Sequence, residues 1–463
     1  MDQTIALPCP QAMNYSPQLL HDKLEAALNE LAATRKFLIG LSGGLDSVVL
    51  LHAMAKLRDQ SGVSIQLRAL HINHQLQDQA QNWETHCLSL CAKLGIECVS
   101  TKVEISRHCG LENAARQARY REFEATLLID EELLLGHHRD DQMETLLLRL
   151  IRGSGSRGLS GIPRSRVLGA SRLLRPLLDI DREELQSYAE SEQLNWVEDH
   201  SNEDEGFDRN YCRHSLLPLI EERWPGYRQS WSKSVVLASE SEALIRELAA
   251  IDLGEIVAES ESVVSREKLL TLSEPRRRNV LRHWLASLGA KELGWNKLRQ
   301  LSNEVLPGAS GQFIAEDFQV VCFRGSVYAL DSVELERNVD TTDSDAMPGL
   351  LVAGELMLPG NGRLRICAKH GEGICADKLS KLSIRFRRGG ETCRLVGRPS
   401  KTLKKILSES EIPPWLRSRI PLLYDGEELS YIPGVGVSEE LAAKGAQPGC
   451  ILEWEPPNLA LGV

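Results

Sequence analysis

Apolar positions set the first divisions of the chain. After a polar leader, Lys36-Phe-Leu-Ile-Gly-Leu41 is a short apolar run that predicts a buried strand, and Val48 to Lys56 predicts a helix after it. Comparable runs predict strands at Ile65–His71, Glu97–Val103 and Glu132–Gly136. Helices are predicted between them around Asn82–Leu94 and Leu111–Leu128, with another running through Arg149. Strands and helices in alternation imply right-handed crossovers and a parallel sheet covered on both faces. Residues 1–220 are therefore expected to form a doubly wound α/β domain. From about residue 230 the spacing is helical alone: Leu237, Leu244, Leu248 and Ile251 share one face, and Val280, Trp284 and Leu288 share another. That predicts a small helical domain over 221–335. Asn338–Gly349, rich in Asp, Thr and Ser, reads as a linker, set at 336–350. The strand-like runs at Leu351-Val352, Arg363–Ile366 and Ser383–Phe386, separated by glycines, predict a C-terminal α+β domain over 351–463.

A length of 463 residues agrees with about three domains. The 42% hydrophobic and 26% charged fractions are those of an ordinary soluble protein. No apolar run approaches the roughly 20 residues needed to span a bilayer. The first ten residues lack a secretory pattern, so a cytoplasmic location and no membrane association are expected. Eleven cysteines at irregular spacing, with no Cys-x-x-Cys, predict free thiols; Cys87 and Cys91 fit buried small hydrophobes. A net charge of -11 excludes a protein that coats nucleic acid nonspecifically, because phosphate neutralisation needs surplus Lys and Arg. Local basic patches remain. Arg116, Arg119, Arg149, Arg152 and Arg157 cluster around Gly153, Gly155 and Gly158, and as a group they favour RNA contact over a solvated face. Arg385, Arg387, Arg388, Arg394, Arg398, Lys401, Lys404 and Lys405 form a second run, opposed only by Glu391.

The candidate chemistry begins at Ser42-Gly43-Gly44-Leu45-Asp46-Ser47. A strand entering a helix through this turn offers backbone amides and a helix N-terminus to an anion, and two glycines let phosphate approach the backbone. Asp46 would repel a phosphate directly but suits a magnesium ion lying between them. It is not a Walker A loop, which needs Gly-Lys followed by Ser or Thr. Further on, Gly136-His137-His138-Arg139-Asp140-Asp141-Gln142-Met143-Glu144 follows a predicted strand and opens a helix. Asp140 and Glu144, four apart, would share a face and could hold magnesium or an amine. One aspartate could instead cap the helix, and His71, His74, His137 and His138 could bind zinc.

The Ser-Gly-Gly-x-Asp-Ser loop resembles the pyrophosphate loop of ATP pyrophosphatases, which cut ATP between the α and β phosphates. His71-Ile-Asn-His74, Gly136 to Thr145, Arg149 to Leu159, Arg209-Asn-Tyr-Cys-Arg213 and the helix Leu111 to Tyr120 are similar to the signature blocks of the tRNA(Ile)-lysidine synthase family. So are Arg387-Arg-Gly-Gly390, Lys401 to Lys405 and Ile412 to Arg417, so the resemblance covers most of the chain. It implies a ligase that adenylates the wobble cytidine of an isoleucine tRNA with a CAU anticodon, using ATP and Mg2+, and then joins L-lysine to carbon 2. The expected catalytic residues are Asp46, His137, Asp140, Asp141 and Glu144, with Ser42 to Ser47 on ATP and Asp46 and Asp140 on magnesium. His74, Arg116, Arg119, Arg149, Arg152, Arg157, Arg209, Arg213, Arg387, Arg388, Lys401, Lys404 and Lys405 are expected on tRNA, the C-terminal set on its acceptor arm or elbow. A homodimer stays open. A tRNA thiolase with the same loop would be expected to carry paired Cys-x-x-Cys ligands, and a noncatalytic descendant should have lost Asp46, Ser47 or the Asp140-Asp141 pair.

Overall fold

The computed structural model describes residues 17–60, 64–73, 80–103, 111–258, 260–308, 310–337 and 354–462. Two compact units divide the chain, residues 1–244 and 245–463. Among the described residues no helix is long and apolar enough to cross a membrane.

The first unit follows the order α1 (Pro17–Leu31), β1 (Lys36–Gly40), α2 (Leu45–Gln60), β2 (Gln66–Asn73), α3 (Ala80–Lys93), β3 (Glu97–Lys102), α4 (Leu111–Thr126), β4 (Glu132–Leu134), α5 (Arg139–Ile151), α6 (Ser156–Leu159), β5 (Ser165–Leu168), β6 (Ser171–Leu174) and α7 (Arg182–Ser191). The sheet runs β3-β2-β1-β4-β6-β5; every neighbouring pair is parallel except the hairpin β5-β6. Phe37, Leu38 and Ile39 are all fully buried, as a strand covered on both faces requires. Phe37 and Ile39 join α1, α2 and α7 in one cluster, while Leu38 joins Phe123 of α4 and Leu168 of the hairpin in another. The doubly wound architecture is the one the sequence predicts.

Two parts of this unit differ from the expectation. The leader contains α1, whose Leu20, Leu24 and Leu28 recur every four residues and are buried. The antiparallel hairpin extends the sheet through a two-residue turn at Gly169-Ala170, with Gly169 at φ +56°. Its strands are four residues each and rich in Ser and Arg, too short and polar for an apolar-run criterion to find.

In the second unit, Val263–Ser265, Gln312–Ile314, Phe318–Phe323 and Ser326–Asp331 form an antiparallel sheet packed with the helix Glu274–Ser287, so the stretch read as helical also carries strands. Phe318-Gln-Val-Val-Cys-Phe323 buries alternate residues, the period of a strand. Val280, Trp284 and Leu288 are buried as expected. Leu237, Leu244, Leu248 and Ile251 do not line a core: on the helix Tyr227–Ile256 they are 52%, 65%, 38% and 61% exposed, while Ala249, Asp252 and Ile256 are buried. Periodicity identifies residues that share a face but not what covers it. The C-terminal part holds two four-stranded sheets, with Gly362–His370 and Leu382–Arg385 on the predicted runs; Leu351, Val352 and most of the linker lie outside the described residues. The nine described cysteines are free, with Cys87 and Cys91 in the core.

Trp284, 1% exposed, donates its indole N–H to the Glu261 carbonyl at 2.7 Å. Replacing it with Ala should destabilise the second unit by about 3–5 kcal/mol, read as a urea midpoint by circular dichroism; a loss under about 1 kcal/mol would mean the site collapses around the gap.

Candidate active site

In the order β3-β2-β1-β4-β6-β5, the connections after β1 and β4 leave in opposite directions along the sheet. A crevice opens beyond the C-terminal ends of two such strands, and ligands bind there in folds of this kind. Ser42 to Ser47 follow β1, and Gly136 to Asp141 follow β4.

Several groups hold the first loop. Gly43 sits at φ +89°, a left-handed conformation that glycine tolerates. Its carbonyl accepts the Val197 N–H at 2.9 Å, and the Leu41 carbonyl lies 2.9 Å from Nδ1 of buried His71. Ser47 Oγ accepts the amides of Ser42 and Gly43, both at 3.2 Å, and donates to the Gly44 carbonyl at 2.9 Å. The loop's amides thus converge on one oxygen. A Cβ at Gly136 would stand 2.9 Å from the Asp46 carbonyl oxygen and 3.2 Å from the Ser47 nitrogen, so only glycine lets the second loop lie against the first.

His138 links the two loops. It is 1% exposed, with Nε2 3.5 Å from Asp46 Oδ2 and 3.6 Å from Asp141 Oδ2, and Nδ1 3.6 Å from Asp140 Oδ2. Burial opposes its charge, but Asp141, Asp140 and Asp46 outweigh that and push its pKa up to about 10. His137 behaves oppositely: burial pushes it down to about 3 against the pull of Asp141, and its buried Nδ1 has no hydrogen-bond partner. The adjacent histidines are therefore one charged and one neutral at neutral pH.

The carboxylates are closely paired. Asp141 Oδ2 accepts the His138 amide at 3.0 Å, so the helix-end role falls to Asp141. Its Oδ1 accepts from Arg209 Nη2 at 2.7 Å. Glu144, fully buried, accepts from Arg209 Nε and Arg213 Nε, both at 2.6 Å. Asp140 accepts from Arg228 Nε at 2.7 Å and the Arg182 amide at 3.0 Å. Burial disfavours charge on Asp140 and Asp141, yet their cationic neighbours hold both below the usual carboxylate range. Beside them lies a cavity of about 190 Å3 whose wall includes Asp140, Arg182, Glu183, Glu221, Tyr227 and Arg228.

These pairings bear on the magnesium expectation. Asp46 fits a cation: its Oδ1 is buried without a partner, on the loop where phosphate would lie. Asp140 does not, because both its oxygens are engaged and the His138 ring separates it from Asp46. Among the described residues no group of three or more His, Cys, Asp or Glu could hold a metal.

The other expected residues are scattered. Arg149 Nη1 ties the carbonyls of Gly158 (2.9 Å) and Gly161 (2.6 Å), Arg152 pairs with Asp208 at 3.0 Å, and Arg116 lies over the Tyr120 ring at 5.2 Å. Arg119 and Arg157 are exposed. In the second unit Lys401 pairs with Glu409 at 2.8 Å, Arg387 is half-buried, and Arg388, Lys404 and Lys405 are exposed. His74 lies outside the described residues. His138, Arg182, Tyr227 and Arg228 were not among the expected site residues. His138 had a signal in its place between a glycine turn and two aspartates, whereas Arg182 and Arg228 are distant in sequence and had none.

A PP-loop domain model matches residues 18–220, a TilS substrate binding domain model residues 265–328, and a TilS substrate C-terminal domain model residues 382–454. The tRNA(Ile)-lysidine synthase of Yersinia pseudotuberculosis serotype I (strain IP32953) is 40% identical over 461 residues, 96% of this chain and 98% of its own length. Those of Coxiella burnetii (38%, covering 94% of this chain and 97% of the relative) and Pseudomonas aeruginosa (37%, 95% and 98%) are similar. The chain belongs to the tRNA(Ile)-lysidine synthase family. Both loops described above fall within its PP-loop domain. Among solved structures, a U34-tRNA thiolase from Methanococcus maripaludis is 17% identical with a TM-score of 0.41, covering 48% of this chain and 78% of that one, too slight a likeness to carry an argument.

The two histidines give this family member a pH signature. His138, raised above its unfolded value near 6.5, stabilises fully below that pH and loses its contribution as pH rises through about 10. His137, lowered, leaves stability intact above 6.5 and removes it as pH falls towards 3. Unfolding free energy from urea titrations should therefore peak near pH 6.5. His138→Gln should flatten the alkaline limb alone; an unchanged limb would mean the imidazolium is not held there.

Proposed function

We propose that the chain ligates L-lysine to carbon 2 of the wobble cytidine of a tRNA(Ile) with a CAU anticodon, giving lysidine and switching codon reading from AUG to AUA. ATP is cleaved to AMP and pyrophosphate through an adenylated tRNA intermediate. The observation that carries this reading is the link through His138 between Asp46 on the phosphate loop and Asp140 in the wall of the mixed-charge cavity. One side suits a nucleoside triphosphate. The other suits an amino acid carrying both charges: Arg182 for its carboxylate and Glu183 for an ammonium group, beside the Arg228–Glu221 ion pair.

In the first step the cytidine 2-oxygen attacks the α-phosphorus and pyrophosphate leaves. Magnesium, held by Asp46, would neutralise phosphate charge there. His138, charged at neutral pH, holds Asp46 towards the phosphates and the Asp140–Asp141 turn beneath them. In the second step a lysine amine attacks carbon 2 and AMP departs with the former 2-oxygen. That amine must lose a proton from an unperturbed pKa near 10.4. In this reading neutral His137, whose Nδ1 has no hydrogen-bond partner, accepts it, and a phosphate anion bound nearby would raise its basicity. Arg209 and Arg213 neutralise Asp141 and Glu144; these two, with His74, Arg116, Arg119, Arg152 and Arg157, are the residues this reading assigns to tRNA. Arg149 serves that region by shaping the loop that follows it.

Residues 1–220 form the catalytic domain in this reading, 221–335 contact tRNA, 336–350 link, and 351–463 grip the acceptor arm or elbow through Arg387, Arg388, Lys401, Lys404 and Lys405. The setting is the cytoplasm, and a homodimer is compatible with it. Purified protein with ATP, Mg2+, labelled lysine and the isoleucine tRNA should yield AMP, pyrophosphate and labelled tRNA. Asp46→Ala should abolish AMP formation while tRNA affinity stays nearly intact. AMP formation with no label on the tRNA, or sulfur incorporation from a sulfur donor, would overturn the reading.

A further inference from the structure

The hairpin β5-β6 brings Arg116, already assigned to tRNA, together with Arg166, Arg175 and Tyr120, to which neither reaction step gives a role. Arg166 of β5 lies over the Tyr120 ring of α4 at 4.2 Å, and Arg116 lies over the same ring at 5.2 Å with Nη2 3.3 Å from the hydroxyl. Arg175, just past β6, is 3% exposed; its Nη1 donates to the Pro163 carbonyl at 2.7 Å and its buried Nε has no partner. Among the described residues, Arg116, Arg166 and Arg175 form no salt bridge with a carboxylate. Arg116 and Arg166 are exposed, but the Arg175 guanidinium is taken from water, which is destabilising unless a counter-charge compensates it. Neighbouring groups register the uncompensated charge: burial pushes Tyr120 up, yet Arg116, Arg175 and Arg166 hold its hydroxyl below the usual phenol range, and burial together with Arg166 and Arg116 lowers Arg175. An aromatic ring flanked by guanidinium groups with an open donor lacks only an anion.

We propose that Arg116, Arg166 and Arg175 around Tyr120 form a subsite for a phosphodiester of the polynucleotide substrate, one that flanks the nucleotide reacting at the phosphate loop. The inference rests on the proposed tRNA substrate. Phosphate could also come from ATP, but the sheet order argues for the polynucleotide. β5 stands three strand spacings from β1, about 14 Å at 4.7–4.9 Å each, which places Arg166 to the side of the loop rather than over it. A continuous chain with one nucleotide at the loop presents neighbouring phosphates at such an offset. Phe123, edge-on to the Tyr120 ring at 6.2 Å, fixes the ring over which Arg166 and Arg116 lie.

Arg166 is exposed on an edge strand, so its replacement should leave the fold intact. In the full chain, Arg166→Ala should weaken tRNA binding about tenfold at low salt. It should also reduce the slope of log affinity against log salt by about 0.7–0.9, the loss of one phosphate contact. ATP affinity should not move, and Arg166→Lys should recover most of the loss. Weaker ATP binding with tRNA affinity and slope unchanged would assign the cluster to the triphosphate and overturn the proposal. So would no change in either. Wild-type protein that binds tRNA but attaches no lysine would refute the proposed reaction while leaving this subsite standing; wild-type that attaches lysine, with Arg166→Ala unchanged in tRNA affinity and slope, would refute the subsite alone. Wild-type protein that does not bind tRNA would overturn both.

Discussion

The absence of a side chain at Gly136 determines how close two loops can come. A single methyl there would press on the backbone of Asp46 and Ser47. The parallel pairing of β1 and β4 delivers both turns to the same edge, but pairing alone would leave room for side chains between them. Glycine removes that room, so His138 of the second loop reaches Asp46 of the first as well as Asp140 and Asp141 of its own. The raised protonation of His138 follows from that proximity, whereas burial keeps His137 neutral beside it.

Once the loops touch, charge dictates the surroundings. Asp46, Asp140, Asp141 and Glu144 would repel one another in a partly buried space. Arg209 and Arg213 bind the last two from a helical segment about 65 residues further on, and Arg228 binds Asp140 from the next helix. Removing one member of such a cluster strands the others without compensation, which makes these pairs matter more than surface ion pairs. Of these four carboxylates, Asp46 keeps a buried oxygen without a partner, and it is the one a cation would fit.

Much of this was legible in the sequence. Phe37-Leu38-Ile39, buried on both faces, and the helices that alternate with the strands carry their own periodicity, so the parallel sheet and both loops could be placed without coordinates. The hairpin could not, because Ser165–Leu168 and Ser171–Leu174 owe their strand form to the sheet they extend rather than to apolar residues of their own. Leu237, Leu244, Leu248 and Ile251 show the converse failure: the period is right and the burial is not. In the site, Ser42 to Ser47 and Gly136 to Glu144 were readable as contiguous motifs. Arg182, Arg228 and the engagement of Arg209 and Arg213 with carboxylates were not, since ion pairs over long sequence separations leave no local pattern.

Arg149 has a consequence of a different sort. Gly153, Gly155 and Gly158 give the segment after α5 a backbone with many accessible conformations, and such a segment loses that freedom whenever it meets a partner. The guanidinium fastens the carbonyls of Gly158 and Gly161 beforehand. The loop thus keeps glycine's bare, closely approachable surface in an already ordered form, so any partner would meet it with the entropy of ordering spent in folding rather than in recognition.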